Sequence, residues 1–182
     1  MTNGIGGYAG GSIIGACNRT HQGYLIASLH PPGRALSGIF PKANEKLTQG
    51  THVYNLETSQ HAGKGHSPIR TQGQRFFERI SPVTELSAFS YSAGNIRMDK
   101  HLALLRESNT VAISYTITNQ GEEAGLSITP LMNFREHSAS SAVSDLQFTC
   151  EPNTVGGFTL IPAAAPGLCI ELSCSAGRRF ST

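Results

Sequence analysis

The sequence predicts an all-β fold, an antiparallel β-sandwich, and three observations predict it. Short runs rich in β-branched and aromatic residues recur along the 182 residues, and glycine and proline separate them. No segment holds a 3.6-residue apolar period over the roughly 12 residues a helix would need. Thr110 to Thr118 is the clearest run: Val111, Ile113, Tyr115 and Ile117 alternate with Ala112, Ser114, Thr116 and Thr118. Period two with polar partners describes a strand with one wet face.

Taken in order, the chain opens on a glycine-dense stretch, Asn3 to Ile26. Glycines at 4, 6, 7, 10, 11, 15 and 23 predict a tightly turned loop with close backbone approaches. It delivers the polar cluster Arg19, Thr20, His21 and Gln22 to the mouth of an apolar run. That run, Tyr24 to Leu29, reads as a strand buried on both faces, stopped by Pro31-Pro32-Gly33. One more strand is expected within Arg34 to Glu45, and another at His52 to Glu57. Ser59 to Gln74 has almost no apolar residues and reads as a long surface loop.

Beyond it the pattern is regular. Arg75 to Ile80 is a strand ended by Ser81-Pro82, and Glu85 to Ser92 is the next. Ile96 to Arg106 sets Ile96, Met98, Lys100, Leu102 and Leu104 against Arg97, Asp99 and His101. The run at Thr110 to Thr118 and the alternation Leu126, Ile128, Pro130, Met132, Phe134 are joined by Asn119-Gln120-Gly121-Glu122. This predicts an antiparallel hairpin. Arg135 to Ser144 reads as a loop. Gln147 to Cys150, Gly157 to Ile161 and Gly167 to Cys174 are further short strands. Pro162 to Cys174 still has a sheet-like pattern, and the end at Thr182 reads as a truncation inside a larger protein; residues 1–182 are taken as one sandwich domain.

Composition excludes several functions. At 38% hydrophobic and 14% charged, the chain is neither a polyelectrolyte nor a membrane protein. Its net charge of +2 gives no basic face for nucleic acid. Met1 to Gly11 carries no export signal, so a cytoplasmic location is expected, with Cys17, Cys150, Cys169 and Cys174 as free thiols. None forms a C-x-x-C pair, and His61 and His66 lack ligand spacing, so neither a metal nor a cofactor is expected. Gly4-x-Gly6-x-x-Ala9 lacks the preceding strand and following helix of a dinucleotide site. Glycosidic hydrolysis uses a carboxylate pair, but most of the candidate acids, a set that includes Glu45, fall on strand edges or turns where solvated charge is the ordinary reading; no catalytic residue is assigned.

Arg19, His21 and Gln22 remain, together with Asn133 and Arg135 in Asn133-Phe134-Arg135-Glu136-His137 at a strand end. Planar side chains with several donors suit sugar hydroxyls. The same residues equally serve to satisfy loop backbone.

The stretch NGIGGYAGGSIIGACNRTHQGYLIASLHPP resembles the opening of bacterial and archaeal glycogen debranching enzymes, amylo-α-1,6-glucosidases. Asn3, Gly4, Gly6, Gly7, Tyr8, Gly15, Arg19 and Gly23 match, and PLMNFREH (Pro130 to His137) resembles a second family segment. The likeness spans roughly Thr2 to Pro152. His21-Gln22 stands before Gly23 where the family has Tyr-His, so the role of that histidine does not carry over to this chain. The resemblance implies a supersandwich-like N-terminal domain. It implies a partner, a separate α/α-barrel catalytic domain that hydrolyses α-1,6 branches in a glycogen-like α-glucan. The chain alone is then expected to be inactive, with Arg19, His21, Gln22, Asn133 and Arg135 lining the glucan cleft or the domain interface. A stand-alone carbohydrate-binding module or a purely structural sandwich is the alternative. With no tryptophan and 7% aromatics the chain lacks the stacking platform of the first.

Overall fold

The computed structural model describes residues 1–17, 19–29, 35–60, 69–71, 73–83, 86–139 and 146–175. The chain divides into two compact units, Met1–Ala139 and Ser140–Thr182. His61 and His66 lie outside the described residues.

In chain order the first unit contains β1 (Tyr8–Gly10), β2 (Gly23–Ser28), β3 (Leu36–Phe40), β4 (Lys42–Gln49), β5 (His52–Asn55), β6 (Thr58–Gln60) and β7 (Ile69–Thr71). A 3-10 turn, Gly73–Arg75, precedes β8 (Phe77–Val83), β9 (Leu86–Ala93), β10 (Ile96–Leu104), β11 (Val111–Asn119), β12 (Ala124–Leu131) and β13 (Arg135–Glu136). Three sheets carry the fold, in the orders β1-β2-β3-β13, β12-β4-β5 and β11-β10-β9-β8; β6 and β7 pair separately. The second unit is a three-stranded sheet of β14 (Phe148–Pro152), β15 (Phe158–Pro162) and β16 (Ile170–Leu172). All these pairings are antiparallel, and the all-β expectation holds.

The sandwich core lies between the second and third sheets. Leu47 on β4 and Leu56 meet Tyr91 and Ala93 on β9 and Ile96 and Met98 on β10. Tyr54, Phe77, Tyr115 and Leu126 close the cluster's margins. Leu47, Ile96 and Met98 are almost wholly removed from water, and each such side chain contributes about 1.5–3 kcal/mol relative to an exposed position. Alternation along β10 explains its burial: every second residue from Ile96 to Leu104 is buried, on the face that carries Ile96 and Met98. Lys100 is one of them.

Several local expectations are corrected. Arg34 to Glu45 holds parts of two strands, β3 and β4, split at Pro41, which has no amide to donate. The long polar stretch after Ser59 contains β7, which pairs with β6. β8 continues through Pro82, as a proline can on a sheet edge. The hairpin between the alternating runs at 110–118 and 126–134 does not form. β11 pairs with β10, while β12 pairs along its whole length with β4, from Ala124–Gln49 to Leu131–Lys42. Local alternation specifies two strands but not their partner, and here the connecting turn crosses from one sheet to the other. At that crossing the Asn119 amide nitrogen donates to the Glu122 carbonyl at 2.6 Å, and Gln49 Nε2 donates to Asn119 Oδ1 at 2.9 Å.

Candidate functional site

The glycine-dense opening is a pinned loop. Asn3 is fully buried; its Nδ2 donates to the Ser108 carbonyl at 2.9 Å and to Asn109 Oδ1 at 3.2 Å. Asn109 in turn bridges to β2, exchanging bonds of 2.8 and 3.1 Å with the backbone of Ser28. Gly4 and Gly6 take positive φ, 84° and 98°, which a side chain would resist. A Cβ on Gly7 would lie 2.5 Å from Asn3 Nδ2. Asn3, Gly4, Gly6 and Gly7, residues that carry the family likeness, thus have architectural reasons for their identity.

The loop returns to β2 through a turn in which Gln22 N–H donates to the Arg19 carbonyl at 3.1 Å. Two side chains hold that turn by its backbone. The Tyr8 hydroxyl donates to the His21 carbonyl at 3.1 Å. Arg135 Nη2 donates to the Thr20 carbonyl, while Nη1 donates to the carbonyls of Glu136, His137 and Ala139 at 3.0, 3.0 and 2.8 Å. The guanidinium lies against Gly38, where a Cβ would come within 3.3 Å of its central carbon. Burial pushes the Tyr8 hydroxyl above its ordinary pKa, against the lowering effect of the Arg135 charge.

The structure therefore brings two of the sequence-selected segments together, 19–22 and 133–137. Arg135 spends its donors on backbone and positions the loop. Asn133 is half-buried, and its N–H donates to the Ile39 carbonyl at 2.8 Å on β3. Arg19 and His21 are exposed; Gln22 is half-buried. Tyr8 and Gly38, part of the same arrangement, were not among the selected residues. Tyr8 was legible only as a motif position. Replacing Arg135 by Met removes a charged donor from four carbonyls, and a destabilisation of about 2 kcal/mol is expected. Arg135→Lys recovers little of it, because an ammonium cannot fan out over separated acceptors as a guanidinium does. Urea unfolding checks the loss, and faster amide exchange at Gln22 checks its location.

Beneath the loop lies a buried polar cluster. Lys100 Nζ sits 2.5 Å from Glu45 Oε1, with side-chain exposures of 1% and 4%. Lys100 also donates to the Tyr24 hydroxyl at 2.8 Å and lies 4.5 Å from that ring's centre. Tyr115 donates to the same Glu45 oxygen at 2.7 Å. These four residues come from β2, β4, β10 and β11, so the ion pair joins two sheets and the Lys100–Tyr24 hydrogen bond adds the third. Nearby, Lys42 is buried and donates to the Thr58 carbonyl at 2.5 Å; burial lowers its pKa. Cys17 Sγ lies 3.0 Å from the Pro41 carbonyl, and burial raises its pKa against the pull of Lys42, Lys100 and Arg135. All four cysteines are free thiols. Reading Glu45 as an ordinary solvated acid is corrected here: on β4 it takes the inward position between Ala43 and Leu47.

Among the described residues, no helix is long and apolar enough to cross a membrane. No curated protein and no solved structure matches the chain. The family described as "Glycogen debranching enzyme N terminal" matches residues 1–181. A match over nearly every residue places the chain: it belongs to the glycogen debranching enzyme N-terminal family.

Proposed function

We propose that this domain is a non-catalytic partner within a debranching enzyme. It shapes the glucan cleft and docks the catalytic domain that hydrolyses α-1,6 branch linkages in the cytoplasm. One observation supports this above the others. The turn at 19–22 is held through its carbonyls, by Tyr8 and Arg135, while the Arg19 and His21 side chains are exposed. A rigid backbone presenting planar polar groups suits hydroxyl-rich ligands or a polar domain contact. Gln22, Asn133 and Arg135 complete the proposed surface, with Arg135 as its brace.

The test is an NMR titration of the chain with maltooligosaccharides and, separately, with the catalytic domain. Shifts at Arg19, His21 and Gln22 are expected in at least one titration. A response to sugar assigns the loop to the cleft; a response to the catalytic domain alone assigns it to the interface. A silent loop in both overturns the proposal. The isolated chain should release no glucose from a branched glucan, and measured release would overturn the non-catalytic reading.

A further inference from the structure

The sequence holds one Asn-Gly pair, Asn3-Gly4, inside the glycine-dense opening. An asparagine before glycine is open to attack by its own backbone, because the glycine nitrogen has no neighbouring Cβ to crowd its approach to the side-chain carbonyl carbon. The fold treats the two reactants oppositely. Gly4 is exposed, with φ 84°, and a Cβ built on it would meet nothing within 4 Å. Asn3 is fully buried, and each of its polar groups is engaged. Its N–H donates to the Gly7 carbonyl at 3.0 Å, and its own carbonyl accepts from the Glu107 N–H at 2.7 Å. Its Oδ1 accepts from the Ile5 N–H at 3.2 Å. Nδ2 donates to both the Ser108 carbonyl and Asn109 Oδ1.

We propose that Asn3 is a deamidation site gated by closure of the opening loop. The closed loop protects the amide; the opened loop loses ammonia there and does not close again. In the reaction the Gly4 nitrogen gives up its proton and bonds to Asn3 Cγ. The Cγ–Nδ2 bond breaks, and Nδ2 leaves as ammonia. Water then opens the cyclic imide at either carbonyl, giving aspartate or its β-linked isomer. Attack turns the planar amide carbon tetrahedral, so the bonds at Oδ1 and Nδ2 bend or break together. Burial also keeps out the water that completes the reaction. Both restraints vanish when the loop opens locally.

The same contacts refuse the product. A carboxylate oxygen in the place of Nδ2 faces two acceptors, the Ser108 carbonyl and Asn109 Oδ1, with no hydrogen to give either. Asn109 cannot reverse its amide to help, because its Nδ2 and Oδ1 are already set by the carbonyl and N–H of Ser28. The new charge would be wholly buried. The β-linked isomer also adds a carbon to the backbone between positions 3 and 4, a segment pinned on both sides by the Gly7 and Glu107 bonds.

Peptide mass spectrometry on the full chain, held in mildly alkaline buffer with and without denaturing urea, reads the conversion of amide to acid at Asn3. In urea, Asn3 should convert faster than every other asparagine. In native buffer it should convert at least about a hundredfold more slowly than in urea. Asn109→Ala removes one acceptor and the tie to Ser28 without touching the reacting pair. It should convert about tenfold faster than the native chain in native buffer, and at the native chain's rate in urea. Asn3→Asp reproduces one product and should speed amide exchange at Glu107, whose N–H is bonded to the Asn3 carbonyl. Equal rates for the native chain with and without urea overturn the gate. Conversion in urea no faster at Asn3 than at other asparagines overturns the site. An Asn3→Asp chain whose Glu107 amide stays as protected as in the native protein overturns the one-way step.

Discussion

Glu45→Ala is expected to destabilise the fold by about 3–5 kcal/mol, the cost of stranding a buried charge. The mutation leaves Lys100 almost wholly buried with the Tyr24 hydroxyl as its remaining hydrogen-bond partner. It also takes the acceptor from Tyr115. Against a typical domain stability of about 5–15 kcal/mol, this is a large share. The companion variant, Glu45→Leu with Lys100→Met, removes both charges and fills the volume. It should be less destabilised than the sum of the two single changes by about 2–3 kcal/mol, a coupling expected of groups in direct contact. It does not return to native stability, because the Tyr24 and Tyr115 hydroxyls lose their partners, at about 1 kcal/mol each. Urea unfolding followed by circular dichroism measures all four corners of the cycle. An effect of Glu45→Ala below about 1 kcal/mol would show that the pair is solvated, contrary to its burial.

The same cluster reaches the candidate surface. Tyr24 stands one residue beyond the Gly23 that ends the opening loop, and its N–H is bonded to the Pro41 carbonyl at 3.2 Å. Its ring packs edge-on against Phe40. Loosening Lys100 therefore loosens the strand start that carries the 19–22 turn. In Glu45→Ala, amide exchange at Gln22 and Tyr24 should rise before global unfolding, as expected of a locally weakened segment.

The strands were largely legible because period-two alternation is a local property. In β10 it even placed Lys100 with Ile96, Met98 and Leu102, on the face that proves buried. A lysine in that position calls for an acid from elsewhere. Nothing local names Glu45 as that acid, since the two are 55 residues apart and meet only when two sheets stack. The mistaken hairpin has the same origin. The alternating runs at 110–118 and 126–134 read as strands and largely coincide with β11 and β12, but the partners of those strands, β10 and β4, are set by tertiary packing. The candidate site was visible as two polar segments flanked by glycine and strand ends. That Arg135 is their connection could not be read, because its acceptors are backbone carbonyls, which every residue has.

Alkaline pH should unfold this protein cooperatively, and the sign follows from three tyrosines. Burial is the leading cause that raises the pKa of Tyr24, Tyr91 and Tyr115, and the charge of Glu45 raises each further; at Tyr91 the nearby Lys100 opposes the shift. In the unfolded chain a tyrosine loses its proton near pH 10. Above that pH the native state holds protons that the unfolded state has lost, so stability falls as pH rises. Each tyrosine contributes a slope of about 1.4 kcal/mol per pH unit, and three contribute about 4. Cys17, its pKa also raised, adds the same sign from a lower pH. Lys42 opposes them: with its pKa lowered by burial, the unfolded state binds the extra proton, and stability rises with pH up to the ordinary lysine value near 10.4. Beyond that value its opposition ends while the tyrosines continue. A cooperative loss of circular dichroism is therefore expected at about pH 11–12, coincident with the rise in phenolate absorbance from the buried tyrosines. Tyr115→Phe should reduce the slope by about one third, although the variant begins less stable at neutral pH by the loss of its bond to Glu45. Smooth ionisation of all five tyrosines near pH 10 with the fold intact would show that the cluster beneath the loop is open to water.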